Sequence, residues 1–136
     1  MIQGWHGDDY LMLFEERDDA IALTERYALA ASLPGHILVG LKGWDDFLLR
    51  NSEGHHFTVP TVPHDPRYLA PFDFHVNVDA VLPDERFTNK IKWYIKPIVF
   101  GGHPSDPSNM TWLTLDQHVE AVRFWNKVYR DHNKKS

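Results

Sequence analysis

Apolar and polar positions along the chain fall into blocks of different period, and the period separates strands from helices. Residues 9–14 run Asp-Tyr-Leu-Met-Leu-Phe, an apolar block with aromatic ends that is long enough for a core strand and too short for a stable helix. Over residues 17–33 the period changes. Ala20, Leu23, Tyr27 and Ala30 recur at helical spacing, Asp18 or Asp19 is available as an N-cap, and Pro34-Gly35 supplies the stop. One amphipathic helix is predicted there. Residues 36–41 and 45–50 read as strands, Asn51-Ser52-Glu53-Gly54 carries turn chemistry, and residues 55–59 read as a third strand. Connections this short exclude parallel crossovers, so the pattern predicts an antiparallel meander.

Prolines at 60, 63, 66, 71 and 83 prevent long regular elements over residues 60–83. Tyr68, Leu69, Phe72, Phe74, Val76, Val78 and Val81 make this stretch too apolar for a flexible linker, and one short strand is expected near residues 74–78. Residues 90–100 alternate, with Ile91, Trp93 and Ile95 on one face and Lys92, Tyr94 and Lys96 on the other, as in a half-buried strand that ends or lies at an edge near Pro97. Residues 101–109 are nearly all turn formers and predict a surface loop. Thr114-Leu115-Asp116-Gln117 has the residues of a capping box, so the last helix starts there. Leu115, Val119, Val122, Trp125 and Tyr129 form its apolar stripe, which Phe124 and Val128 widen.

Composition adds limits to this α+β pattern. The 136 residues, 15.9 kDa, suit one domain spanning 1–136. No run approaches the ~20 apolar residues of a membrane-spanning helix. The opening Met-Ile-Gln-Gly-Trp-His-Gly-Asp-Asp has neither the basic nor the apolar region of a secretory signal, which predicts a cytoplasmic protein. With no cysteine, the chain has no disulfide, thiolate nucleophile or cysteine-ligated metal. The net charge of −5 is unevenly spread: residues 1–85 hold 15 Asp and Glu against 5 Lys and Arg, residues 86–136 hold 4 against 9. An acidic field over the first part disfavours nucleic acid and anionic lipid and speeds encounter with a basic protein.

Nine histidines invite a metal or acid–base reading, and spacing tests it. The last helix carries a single histidine, His118, where a helical zinc pair needs two at i and i+4. The other clusters are His6 with Asp8 and Asp9, His55-His56, His64 with Asp65, and His103 with Asp106. His55 and His56 would point to opposite faces of a strand, and most of the others read as turn residues, so no metal site and no cofactor is expected. No Gly-x-Ser-x-Gly elbow occurs, the carboxylate pairs Asp8-Asp9, Asp18-Asp19 and Asp45-Asp46 diverge on regular elements, and the glycines lack a phosphate-cradling context. Lys90 to Lys96 combines basic and aromatic residues that could stack bases, but an alternating strand with lysines in solvent accounts for it in so acidic a chain. Aromatic richness without a convergent catalytic set points to a recognition module rather than an enzyme. Trp5, Trp44 and Tyr68 are the expected exposed anchors, with Asp8, Asp9, Trp44, Asp45 and Asp46 as partner-binding residues.

Tyr27, Leu33-Pro34-Gly35-His36-Ile37-Leu38-Val39-Gly40, Gly43-Trp44-Asp45-Asp46-Phe47-Leu48-Leu49 and Gly54-His55-His56-Phe57-Thr58-Val59-Pro60 together resemble the central block of the SUKH superfamily. There a tyrosine-bearing helix leads through Leu-Pro-Gly and a strand ending in Gly into a Gly-Asp-Asp-aliphatic strand and a Gly-x-aromatic-x-Val strand. The likeness covers about a quarter of the chain; relatives open on a Pro-containing helix where this chain opens on a strand, and residues 90–130 have no place in the pattern. The resemblance implies a curved, mostly antiparallel sheet flanked by helices and no catalysis. It also implies a bacterial immunity protein that binds and neutralises a cognate toxin domain, often a nuclease and so often basic, with Asp45 and Asp46 at matched positions. A metal-dependent hydrolase using the His/Asp clusters and a regulatory scaffold are the alternatives.

Overall fold

The computed structural model describes residues 1–43, 45–75 and 77–134. Six strands form one antiparallel sheet in sequence order: β1 (Ile2–His6), β2 (Asp9–Leu13), β3 (His36–Lys42), β4 (Asp46–Asn51), β5 (His56–Pro60) and β6 (Ala70–Pro71). A smaller antiparallel pair joins β7 (Ile91–Tyr94) to β8 (Met110–Leu113), and two helices, α1 (Arg17–Arg26) and α2 (Leu115–Lys134), complete the expected α+β architecture. Alternation along β4 separates two cores. Phe47 and Leu49 face a main core shared with Leu23 of α1, Val119 and Val122 of α2, and Ile91 and Trp93 of β7. Leu48 faces the other way, with Leu11 and Leu13, under Phe72 and Phe74.

The meander and the last helix follow the sequence pattern closely. Asn51 Oδ1 accepts from the amides of Glu53 and His55 and so closes the β4–β5 turn. At the start of α2, the Gln117 amide donates to Thr114 Oγ1 and the Thr114 amide donates to Gln117 Oε1, the two bonds of the capping box. Within β3 the register shifts between Leu38 and Gly40, and a Cβ on Gly40 would lie 2.6 Å from the Met12 carbonyl oxygen. Only glycine lets β2 approach so closely here.

Several elements differ from the pattern. The helix predicted over residues 17–33 stops at Arg26, because Ala28 takes a left-handed conformation (φ 57°) and residues Leu29–Ala31 form a separate 3-10 turn. Tyr27 and Leu29 are both fully buried, and two residues apart on one helix they would face nearly opposite ways, so burying both requires the break. Ala30, expected on the core face, is exposed. The N-cap is Glu16, without a side-chain bond, and Asp18 and Asp19 occupy the first turn. Residues 2–6, to which the pattern assigns no element, form β1; its partner β2 supplies the apolar face. Residues 74, 75 and 77 belong to no strand, Val76 lies outside the described residues, and the short strand of this region is β6. The strand predicted over residues 90–100 ends at Tyr94, and Ile95 is 51% exposed. Asn109 ends it: its carbonyl accepts from the Ile95 amide, its Oδ1 accepts from the Lys96 amide, and its Nδ2 donates to the Lys96 carbonyl. Phe124, expected on the apolar stripe of α2, is 59% exposed, and Asn126 is buried.

Candidate functional site

Register places the β1–β2 turn, the β3–β4 turn and the end of β5 at one end of the large sheet: Leu11 pairs with Lys42, Lys42 with Asp46, and Asp46 with Pro60. The chain after β5 then folds back beside β7. Between these segments lies an open cleft of about 380 Å³. Asp45 and Asp46 border it on the sheet side, Thr61, Val62 and Pro63 form the wall after β5, and Lys92, Trp93, Tyr94 and the turn Pro97-Ile98-Val99 form the opposite wall. Trp93 and Pro97 are buried, whereas Tyr68, Ile98 and Val99 remain 44–46% exposed at the rim. Exposed apolar groups gathered around a concavity are a feature of binding surfaces.

Buried polar contacts hold the wall after β5. Asn126 of α2 donates from Nδ2 to the Thr61 carbonyl (2.8 Å) and accepts at Oδ1 from the His64 amide (3.0 Å). His64 Nδ1 meets Ser32 Oγ at 2.7 Å. Behind the opposite wall, Trp93 meets His118 edge to face with ring centroids 5.2 Å apart, and His118 Nδ1 lies 2.7 Å from the Tyr27 hydroxyl. Burial raises the Tyr27 pKa, so the phenol keeps its proton and shares a hydrogen bond with Nδ1. The other ring nitrogen, Nε2, has no hydrogen-bond partner among the described residues.

The carboxylates at the mouth are electrostatically unsettled. Desolvation raises the pKa of Asp45, opposed by a bond to its own backbone amide and by Lys92 and Lys42. Desolvation and then the charge of Asp45 push Asp46 up to about 6. Among the described residues neither carboxylate has an ion-pair partner within 4.0 Å. Lys42 pairs with Asp9 instead (3.6 Å), and Lys92 lies over the Tyr94 ring, 5.5 Å from its centroid.

Of the residues expected to bind a partner, the structure brings Asp45 and Asp46 into the cleft. Asp8 and Asp9 lie on the neighbouring β1–β2 hairpin at the same sheet end, outside the cleft lining. Trp44 lies outside the described residues. Tyr68 is exposed as expected, but Trp5 is not a free anchor: it packs edge to face on Tyr10 (5.2 Å) and its indole donates to Asp84 Oδ2 at 3.1 Å. Sequence reasoning missed Ile98 and Val99, which a strand over residues 90–100 would have absorbed. Lys92 and Tyr94 were legible as the outward face of that strand, but what they face was not. The His/Asp clusters have local roles: Asp65 binds Arg67, Asp106 caps the turn at Ser108, and His103 Nδ1 accepts from the Ser105 amide. Among the described residues no three His, Asp or Glu converge as a metal site, and no helix is long and apolar enough to cross a membrane.

No family model, curated protein or solved structure matches the chain.

Proposed function

We propose that this chain is a non-enzymatic binding protein of the immunity type, which neutralises a cognate toxin domain by direct contact at the Asp45 cleft. The observation that carries the reading is the cleft itself. Exposed Tyr68, Ile98 and Val99 surround it, and two adjacent carboxylates, without ion-pair partners among the described residues, border it. An apolar surface of this kind gives affinity once covered, and carboxylates give orientation and encounter rate toward a basic partner. The resemblance to the SUKH block supports the same assignment, since Asp45 and Asp46 are among its matched residues. A basic nuclease domain fits the partner's role: an acidic protein competes with nucleic acid for such a surface, while binding neither nucleic acid nor membrane itself. The proposed setting is the cytoplasm, where a toxin delivered to the cell would act.

Co-expression with the toxin domain encoded by an adjoining reading frame tests the reading. The chain restores growth and co-elutes with that domain, and Asp45→Asn with Asp46→Asn lowers the affinity by about tenfold or more, as loss of close charge pairs at an interface does. Absence of rescue, or a complex whose affinity is untouched by the double substitution in a protein that remains folded, overturns it.

A further inference from the structure

The cleft is more selective than an acidic surface. Both walls carry apolar groups, Val62 and Pro63 on one and Ile98 and Val99 on the other, and the acidic groups of the lining, Asp45 and Asp46, are adjacent in sequence, with Lys92 the basic one. We propose that the cleft seats an arginine side chain of the partner protein, its aliphatic stem along Val62 and Ile98 and its guanidinium at Asp45. This rests on the cleft being the contact surface and adds the chemistry of what enters it.

Three features argue for that occupant. Charge complementarity is the first: the Asp45 carboxylate has no ion pair within 4.0 Å among the described residues, although Lys92, whose ammonium lies over the Tyr94 ring, borders the same cleft and acts on it at longer range. The second is amphipathic shape. Only arginine and lysine place a cation at the end of a stem long enough to lie along an apolar wall. Arginine is the better fit because a guanidinium is more weakly hydrated than an ammonium, binds carboxylates through two parallel donors and stacks on aromatic rings. The third is the rim. A free small cation would leave Tyr68, Ile98 and Val99 in water, whereas a side chain carried on a protein surface covers them.

The probe is a blocked pentapeptide, acetyl-Ala-Leu-Arg-Leu-Ala-amide, titrated to about 10 mM into nitrogen-15-labelled full-length protein, a range suited to weak single-anchor binding. Its twin carries citrulline, which keeps the shape and removes the charge. The expected result is saturable movement of the Thr61, Tyr94 and Ile98 amides with the arginine peptide. Binding is weaker by about fivefold or more with the citrulline peptide, and equally weakened by Asp45→Asn in the protein. Equal binding of the two peptides, or no saturable movement at those amides, overturns the proposal. So does ethylguanidinium saturating the same amides as tightly as the peptide, since the site is then one for a small cation. Charge-dependent peptide binding without rescue from a toxin leaves the arginine seat and removes the immunity reading. Rescue that depends on Asp45 without peptide binding does the reverse.

Discussion

At the scale of single residues, Asp46 shows a site working against its own fold. Its carboxyl, pushed up to about 6 by desolvation and by Asp45, holds its proton more tightly in the folded chain than in the unfolded one. The stability this contributes is fully present below the unfolded value of 3.8 and is lost as pH rises through about 6. At neutral pH the group is ionised and destabilising. Asp46→Asn is therefore expected to stabilise the protein at pH 7 by about 1–2 kcal/mol, a figure reduced for the partial exposure of the residue, and to change nothing at pH 3.5 to 4. Urea unfolding at the two pH values measures this, and a gain of equal size at both would show that charge is not its cause.

At the scale of elements, the cleft depends on a joint between α2 and the segment after β5. Asn126, 2% exposed, satisfies the Thr61 carbonyl and the His64 amide at once. Asn126→Leu keeps the volume but strands both backbone groups in the interior, at a cost of about 2–4 kcal/mol. Hydrogen exchange at the His64 amide should quicken more than at Phe47 in the β4 core, since the wall loosens before the sheet opens. Uniform acceleration at both would assign Asn126 to global stability alone. None of this joint was legible in the sequence, where Asn126 stands among the polar positions of α2. The meander and the capping box were legible because their determinants are local: turn residues, strand alternation and a Thr-x-x-Gln spacing. The elements that were missed depend on distant partners. β1 exists because β2 offers it an apolar edge, β8 because β7 does, and α1 is short because Tyr27 and Leu29 must both reach the core. Asp45 and Asp46 could be named from the chain, but the wall opposite them, Ile98 and Val99, is brought in by a turn that Asn109 fixes from thirteen residues away.

At the scale of the whole molecule, pH acts on the centre of the core through one histidine. His118 is fully buried between Tyr27 and Trp93, and burial lowers its pKa to about 3 from an ordinary 6.5. Among the described residues no acidic side chain is paired with it to hold a charge. The folded chain thus favours the neutral ring. Its contribution is complete above pH 6.5 and is lost as pH falls through that value toward the folded pKa, at up to about 1.4 kcal/mol per pH unit. Against a total stability on the order of 5–15 kcal/mol, two units of acidification remove a large part of the margin. The sign is opposite to that of Asp46, so the two contributions separate by substitution. His118→Phe fills similar space and cannot charge, but leaves the Tyr27 hydroxyl without its hydrogen-bond partner. The variant should be less stable than the native chain at pH 7, by about 1–3 kcal/mol for a stranded buried hydroxyl. That deficit should shrink steadily as pH falls from 6.5 to 4.5, and the two stability curves should meet or cross within that range. The pair Tyr27→Phe with His118→Phe should recover part of the loss at pH 7 and keep the flattened pH profile, because it removes the stranded hydroxyl and the ionisable ring together. Denaturant titrations at half-unit pH steps read all three curves, and a deficit that stays constant with pH would remove His118 as the source of acid sensitivity.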